Sequence, residues 1–162
     1  MSQGLLDSSQ QLASQFPLPA FGRFEFHTKV VGAKAVFIIH RKFPFSFDLD
    51  KITRFTKKKK ADVIFLANPN NPTGELIKKR RLEQFIRNNK CLVVVDEVLL
   101  EDIEDSVVQF INQYNNLVVI KSFSKVFAAP GLRIGYLIAN KKLRNAIAKT
   151  ISPYEVSSLS LE

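Results

Sequence analysis

Short apolar runs that stop abruptly at polar turns constrain this chain more than any other feature. Val63-Ile64-Phe65-Leu66 stops before a turn dense in Asn, Pro and Gly, Leu92-Val93-Val94-Val95 stops at Asp96-Glu97, and Leu117-Val118-Val119-Ile120 stops at a serine-rich turn carrying Lys125. Runs this short and continuous suit strands buried on both faces, as in a parallel sheet. Stretches of helical period lie between them. The alternation predicts an α/β fold of three layers, with a mainly parallel sheet covered by helices on both faces. In open sheets of this kind ligands bind beyond the carboxyl ends of the strands, so the polar turns are where chemistry belongs.

The remaining elements follow from local signals. Phe21 to Gly32 has a helical pattern with Gly32 placed to close it, and Ala35 to Ile39 reads as a strand. Asp48 is an N-cap for a helix from Leu49 to about Lys58. A helix from about Leu76 to Asn88 turns Leu76, Leu82, Phe85 and Ile86 inward, and a second amphipathic helix, Ser106 to about Tyr114, does so with Val107, Phe110 and Ile111. Ile134 to Ala139 reads as a strand and Lys141 to about Ile151 as the last helix. Met1 to Leu18 is Gln/Ser-rich and ends in Phe16-Pro17-Leu18-Pro19, which suits a loose lead-in better than a strand. The chain thus divides into a lead-in, residues 1–18, and one domain, residues 19–162, long enough to bury a sizeable core.

Composition narrows the class of function. Charged residues at 24% and apolar ones at 46% are ordinary for a globular protein. The net charge of +9 raises the question of nucleic acid, yet the basic runs Lys57 to Lys60 and Lys78 to Arg81 fall on helical segments, where solvated faces are the better reading. A basic binding module remains the alternative. Cys91 is the single cysteine and sits in an apolar run, so no disulfide framework is possible. With neither a signal-peptide pattern nor a run of membrane-spanning length, the expected setting is cytoplasmic, away from any membrane.

The turn after Ile120 holds the richest chemistry. Ser122 and Ser124 offer hydroxyls and Arg133 a planar guanidinium, a set that suits a phosphate, with Lys125 beside it as a nucleophilic amine. A polar loop whose lysine is merely solvated is the competing reading. Asn68-Pro69-Asn70-Asn71-Pro72-Thr73-Gly74, Asp96-Glu97 and Ser122-Phe123-Ser124-Lys125 with Gly131-Leu132-Arg133-Ile134-Gly135-Tyr136, in this order, resemble the class I/II aminotransferases. Within that family the likeness is to the histidinol-phosphate type. It extends from about Pro19 to the C-terminus and is carried further by Pro19-Ala20-Phe21-Gly22-Arg23-Phe24, Phe45-Ser46-Phe47-Asp48-Leu49-Asp50 and Pro153-Tyr154-Glu155-Val156-Ser157-Ser158-Leu159.

The resemblance implies a pyridoxal 5'-phosphate (PLP) enzyme and an antiparallel strand after the lysine turn. Lys125 resembles the Schiff-base lysine, in surroundings desolvated enough to keep its amine neutral with Arg133 nearby, and Asp96 the partner of the pyridine nitrogen. Asn71 resembles the asparagine on the ring hydroxyl, Phe21 the aromatic stacked on the ring, and Ser122, Ser124 and Arg133 the phosphate cradle. Plainer readings stand beside these: a strand-end cap for Asp96, a turn residue for Asn71, a core aromatic for Phe21. Tyr154, near Arg144 and Lys149, reads as packing.

Two departures qualify the likeness. Leu99 stands where the family usually has a tyrosine that donates to the ring hydroxyl. The family's N-terminal arm, first strand, glycine/serine helix start and C-terminal small domain have no counterpart here, so the expectation is a truncated large domain. An amino acid or amino-phosphate with a 2-oxo acid co-substrate would be the reactants, and a homodimer or a complementing chain would cover the exposed strands. A non-catalytic remnant that binds PLP weakly or not at all is the alternative.

Overall fold

A computed structural model of the chain describes residues 12–39, 45–152 and 156. Among the described residues six strands form a single sheet: β1 (Ala13–Leu18), β2 (Lys34–Ile39), β3 (Val63–Ala67), β4 (Leu92–Asp96), β5 (Leu117–Ser122) and β6 (Gly135–Ala139). Their order across the sheet is β2-β1-β3-β4-β5-β6. All neighbours run parallel except β5 and β6, which pair antiparallel from Val118↔Ala139 to Ser122↔Gly135. The helices that accompany the sheet among the described residues are α1 (Arg23–Val30), α2 (Leu49–Lys59), α3 (Lys79–Asn88) and α4 (Lys141–Ala148).

Strand alternation sorts the core into two sides. Ile64, Leu66, Val93, Val95, Leu117 and Val119 point to one face, where Ile52 of α2 and Leu82, Phe85 and Ile86 of α3 complete the main core. Phe65 points the other way and stacks on Phe24 of α1, with ring centroids 5.2 Å apart. Helices thus cover both faces, and the three-layer expectation holds. In the main core each fully buried aliphatic side chain contributes roughly 1.5–3 kcal/mol. Cys91 packs against it, and burial pushes its thiol above the ordinary value.

Local signals held where they were strongest. Asp48 caps α2, its carboxylate accepting from the Lys51 N–H at 2.8 Å. Gly32 follows the end of α1 at φ +72°, a conformation that glycine adopts without strain. Lys57, Lys58 and Lys59 are exposed in the last turn of α2, at the helix end that favours cations.

Three expectations need correction. Residues 13–18 are not a loose lead-in but β1, an interior strand. It pairs with β2 along its whole length and with β3 only at Ser14 and Gln15, before Pro17, which has no N–H to give. Its polar residues hid it: Gln15 is fully buried with its Nε2 near the Ile52 carbonyl, while Phe16 alone anchors the strand among Phe24, Phe37 and Phe65. The second correction concerns residues 106–114, which follow a 3-10 turn at Ile103–Asp105 and form another at Val108–Phe110 in place of an α-helix. Val107 is buried there as foreseen. Third, Leu76 precedes α3 and is exposed, and α4 stops at Ala148. Tyr154 and residues 1–11 lie outside the described residues.

Among the described residues no helix is long and apolar enough to cross a membrane.

Candidate active site

The parallel register brings strand ends to a common edge. Ala67, the last residue of β3, is opposite Asp96, the last of β4, and Asp96 is opposite Ile120 of β5. Each turn leaving that edge presents one side chain of interest.

The turn after β3 is held by its own asparagines. Asn68 is buried and makes two bonds to Ile77, donating from Nδ2 to its carbonyl (3.1 Å) and accepting from its N–H (2.7 Å). Asn70, also buried, donates to the Pro19 carbonyl (3.0 Å) and to Thr73 Oγ1 (2.8 Å). Gly74 closes the turn at φ +71°. These bonds leave Asn71 exposed at the tip, and through Pro19 they tie the turn to the segment that carries Phe21.

Asp96 is half-buried, and its Oδ1 accepts from the Val98 N–H at 3.0 Å. Burial pushes its carboxyl above the ordinary value, the neighbouring Glu97 adds to the rise, and the Val98 hydrogen bond opposes it. Lys125 follows β5 in a tight turn, its carbonyl accepting from the Ala128 N–H at 2.9 Å. Phe21, Asn71, Asp96 and Lys125 line one cavity of about 140 Å³, with Ala67, Pro69, Val98 and Leu99 completing its walls. Four side chains singled out from four separate stretches of sequence therefore meet. A carboxyl, an amine, an amide and an aromatic face around one small cleft suit a flat heteroaromatic ring carrying a basic nitrogen, a hydroxyl and an aldehyde, so these residues fit the ring of PLP.

The other three do not join them. Ser122 donates to the Ile134 carbonyl (3.3 Å) and accepts from the Ser124 N–H (3.0 Å), so its hydroxyl shapes the loop. Arg133 is exposed, sits in the left-handed region at φ +55° and donates to the Pro130 carbonyl. Neither these two nor Ser124 lines the cavity. Lys125 is itself exposed, not enclosed as expected, and borders a wider open cleft with Leu99, Glu101 and Val126.

Sequence reasoning also passed over Glu97. It is 1% exposed, and its carboxylate accepts from Ser106 Oγ (2.5 Å) and the Val107 N–H (2.8 Å) and pairs with Lys121 Nζ (3.1 Å). The available signal was the acidic doublet at a strand end, since successive side chains there leave the sheet on opposite sides.

A fold of this topology with a lysine turn before its antiparallel strand is shared by a known class. Residues 16–162 match the family described as aminotransferase class I and II, and the chain belongs to it. Among its relatives is the histidinol-phosphate aminotransferase of Ruminiclostridium cellulolyticum, 38% identical over 147 residues that make up 90% of this chain and 41% of that protein. The enzyme of the same description from Methanosarcina barkeri is 34% identical over 165 residues, 98% of this chain and 44% of its own length. The crystal structure of the histidinol-phosphate aminotransferase from Clostridium acetobutylicum superposes with a TM-score of 0.81 at 27% identity, covering 93% of this chain and 46% of that one. The chain therefore spans less than half the length of the relatives it matches.

Proposed function

We propose that this chain is the cofactor-binding core of a PLP-dependent aminotransferase of the histidinol-phosphate type. The observation that carries the reading is the cavity shared by Phe21, Asn71, Asp96 and Lys125. Lys125 Nζ would hold the aldehyde carbon of the group and move the proton at the substrate Cα. Asp96 would hold a proton at the ring nitrogen, Asn71 would bond the ring hydroxyl, and Phe21 would cover the ring face. When bound, PLP accepts the electron pair released at the substrate Cα into its ring. The carboxyl of Asp96 has to be ionised for its role, and the Val98 N–H favours that form.

The reactants would be an amino acid or amino-phosphate and a 2-oxo acid. Substrate selection and turnover draw on parts of the family's length that have no match here. Leu99 on the cavity wall offers no donor where the family has a tyrosine. Among the described residues β6 pairs only with β5, so a second copy or a complementing chain has an open sheet edge to cover. A non-catalytic remnant is favoured as the second reading by one observation: Ser122, Ser124 and Arg133 stay away from the cavity.

Absorbance of the purified chain mixed with PLP tests the first reading. A visible band that requires Lys125 is expected, with little amino transfer by the chain alone. The absence of any Lys125-dependent band would overturn cofactor binding, and rapid transfer would overturn the second reading.

A further inference from the structure

Asp96 and Glu97 are neighbours that leave the sheet on opposite sides. Asp96 faces the cavity with Lys125, whereas Glu97 turns toward the main core and a second cavity that it lines with Lys121, Ser122 and Tyr136. Lys121 lies two residues beyond Val119 on β5, on the same face as Glu97, and only 13% of its side chain is exposed. Three donors converge on the Glu97 carboxylate: Ser106 Oγ, the Val107 N–H and Lys121 Nζ. These contacts anchor both ends of the segment from Glu97 to Val107. That segment carries Val98 and Leu99, two walls of the first cavity, and the Val98 N–H is the donor that orients Asp96.

We propose that Glu97 and Lys121 act together as a positioning pair for Asp96: they fix the segment that supplies its hydrogen bond, and the ammonium cancels the charge behind β4 so that Asp96 meets the cavity as a carboxylate. This rests on Asp96 as the ring-nitrogen partner proposed above. The charged groups around Asp96 are few. Glu97 follows it, one residue past β4, and disfavours its ionised form. Lys121 on β5 is spent on Glu97, and Lys125 stands across the cavity. The end of β3 and its turn offer the cavity only Ala67, Pro69 and Asn71, and Phe21 precedes α1. Removing Lys121 alone leaves a buried carboxylate without its counter-charge, the costly case for a buried pair.

The test is a carbon-13 NMR titration of the Asp96 carboxyl in the full chain without PLP, so that it stands apart from the absorbance experiment. Lys121→Met should move the midpoint up and Glu97→Gln should move it down, while the double variant should return it to the parent value. A merely structural pair would not produce that return. Should Lys121→Met not fold, Glu97→Gln against the double variant reads the same charge. Equal midpoints in those two proteins, or no movement in Lys121→Met, would overturn the proposal. A chain that shows the three shifts but no Lys125-dependent band with PLP would keep the pair and lose the function.

Discussion

Asp96 ends β4 and Asn71 lies in the turn after β3, while Ser122 ends β5 beside the antiparallel strand β6 and Ser124 and Arg133 belong to the connection between those two, and only the first two reach the cavity. Side chains at the ends of central parallel strands inherit their position from a register fixed over several residues of buried sheet. Those that border the connection or lie in it are committed to the loop's own bonds, Ser122 to Ile134 and Ser124, Arg133 to Pro130. Lys125 sits on the boundary and reaches the cavity from one turn beyond β5. A site can thus be half built by a sheet and half left to groups that the sheet does not hold.

The hardest blow to the sheet-built half is Lys125→Ala. The Lys125-dependent band with PLP should disappear altogether, by absorbance, with the thermal transition unchanged within about 0.5 kcal/mol, as for other exposed positions. Retention of the band would mean that the amine belongs elsewhere and would erase the contrast between the halves. The strand that frames this half should be nearly as sensitive. Phe16→Ala, which empties the centre of a cluster of four rings, should cost about 3–5 kcal/mol by denaturant unfolding. A cost below about 1 kcal/mol would return residues 13–18 to a peripheral role.

That strand also marks where the sequence was hard to read. β3, β4 and β5 were legible because each opens with a continuous apolar run and ends at a polar turn. β1 was not, since Ser14, Gln15 and Pro17 carry none of the composition of a buried strand and one phenylalanine supplies the anchor. The segment 106–114 has apolar spacing suited to a helix, yet Ser106 and Val107 are drawn to the Glu97 carboxylate and the chain winds into short turns. Of the residues lining the candidate cavity, Asp96, Asn71, Phe21 and Lys125 were legible through a shared family pattern. The bonds that commit Ser122 to its own loop were not, because they depend on where Ile134 lies in space.

Cofactor analogues sharpen the comparison. If only the ring end is assembled, pyridoxal and PLP should bind within about tenfold of each other, read by the same absorbance titration. A cradle of three donors, each worth about 1.5–3 kcal/mol to a charged group, would separate them by more than about a thousandfold. A preference of that size would break the distinction.

A smaller effect comes from the carboxyl of Asp96. Its value in the folded chain is raised, chiefly by burial and then by Glu97. The native state therefore holds the proton more tightly than the unfolded chain, and the ionised form detracts from stability at pH above the folded value. That loss fades as pH falls through the folded value and is gone below the unfolded one. Asp96→Asn keeps an acceptor for the Val98 N–H and removes the charge. Its melting temperature should exceed the parent's at neutral pH, by about 2–4 °C for each kcal/mol gained, and converge with it in acid. A variant less stable than the parent at neutral pH would show that the carboxylate is favoured where it lies.

The smallest effect probes the loop end. Arg133 holds φ +55° in an exposed turn, a conformation that costs a residue with a Cβ about 1 kcal/mol and glycine almost nothing. Arg133→Gly should therefore be more stable than Arg133→Ala by about 1 kcal/mol or slightly less, because the two variants lose the same guanidinium and differ only in backbone freedom. Equal stabilities, measured by chemical denaturation, would mean that the residue is not held in the left-handed region. The same pair tests the division of the site a second way. Neither substitution should alter the ratio of PLP to pyridoxal affinity, since the guanidinium bonds to Pro130 and not to the cavity. A fall in that ratio in both variants would place Arg133 at the phosphate, and the loop would then share with β3 and β4 the work of building the site.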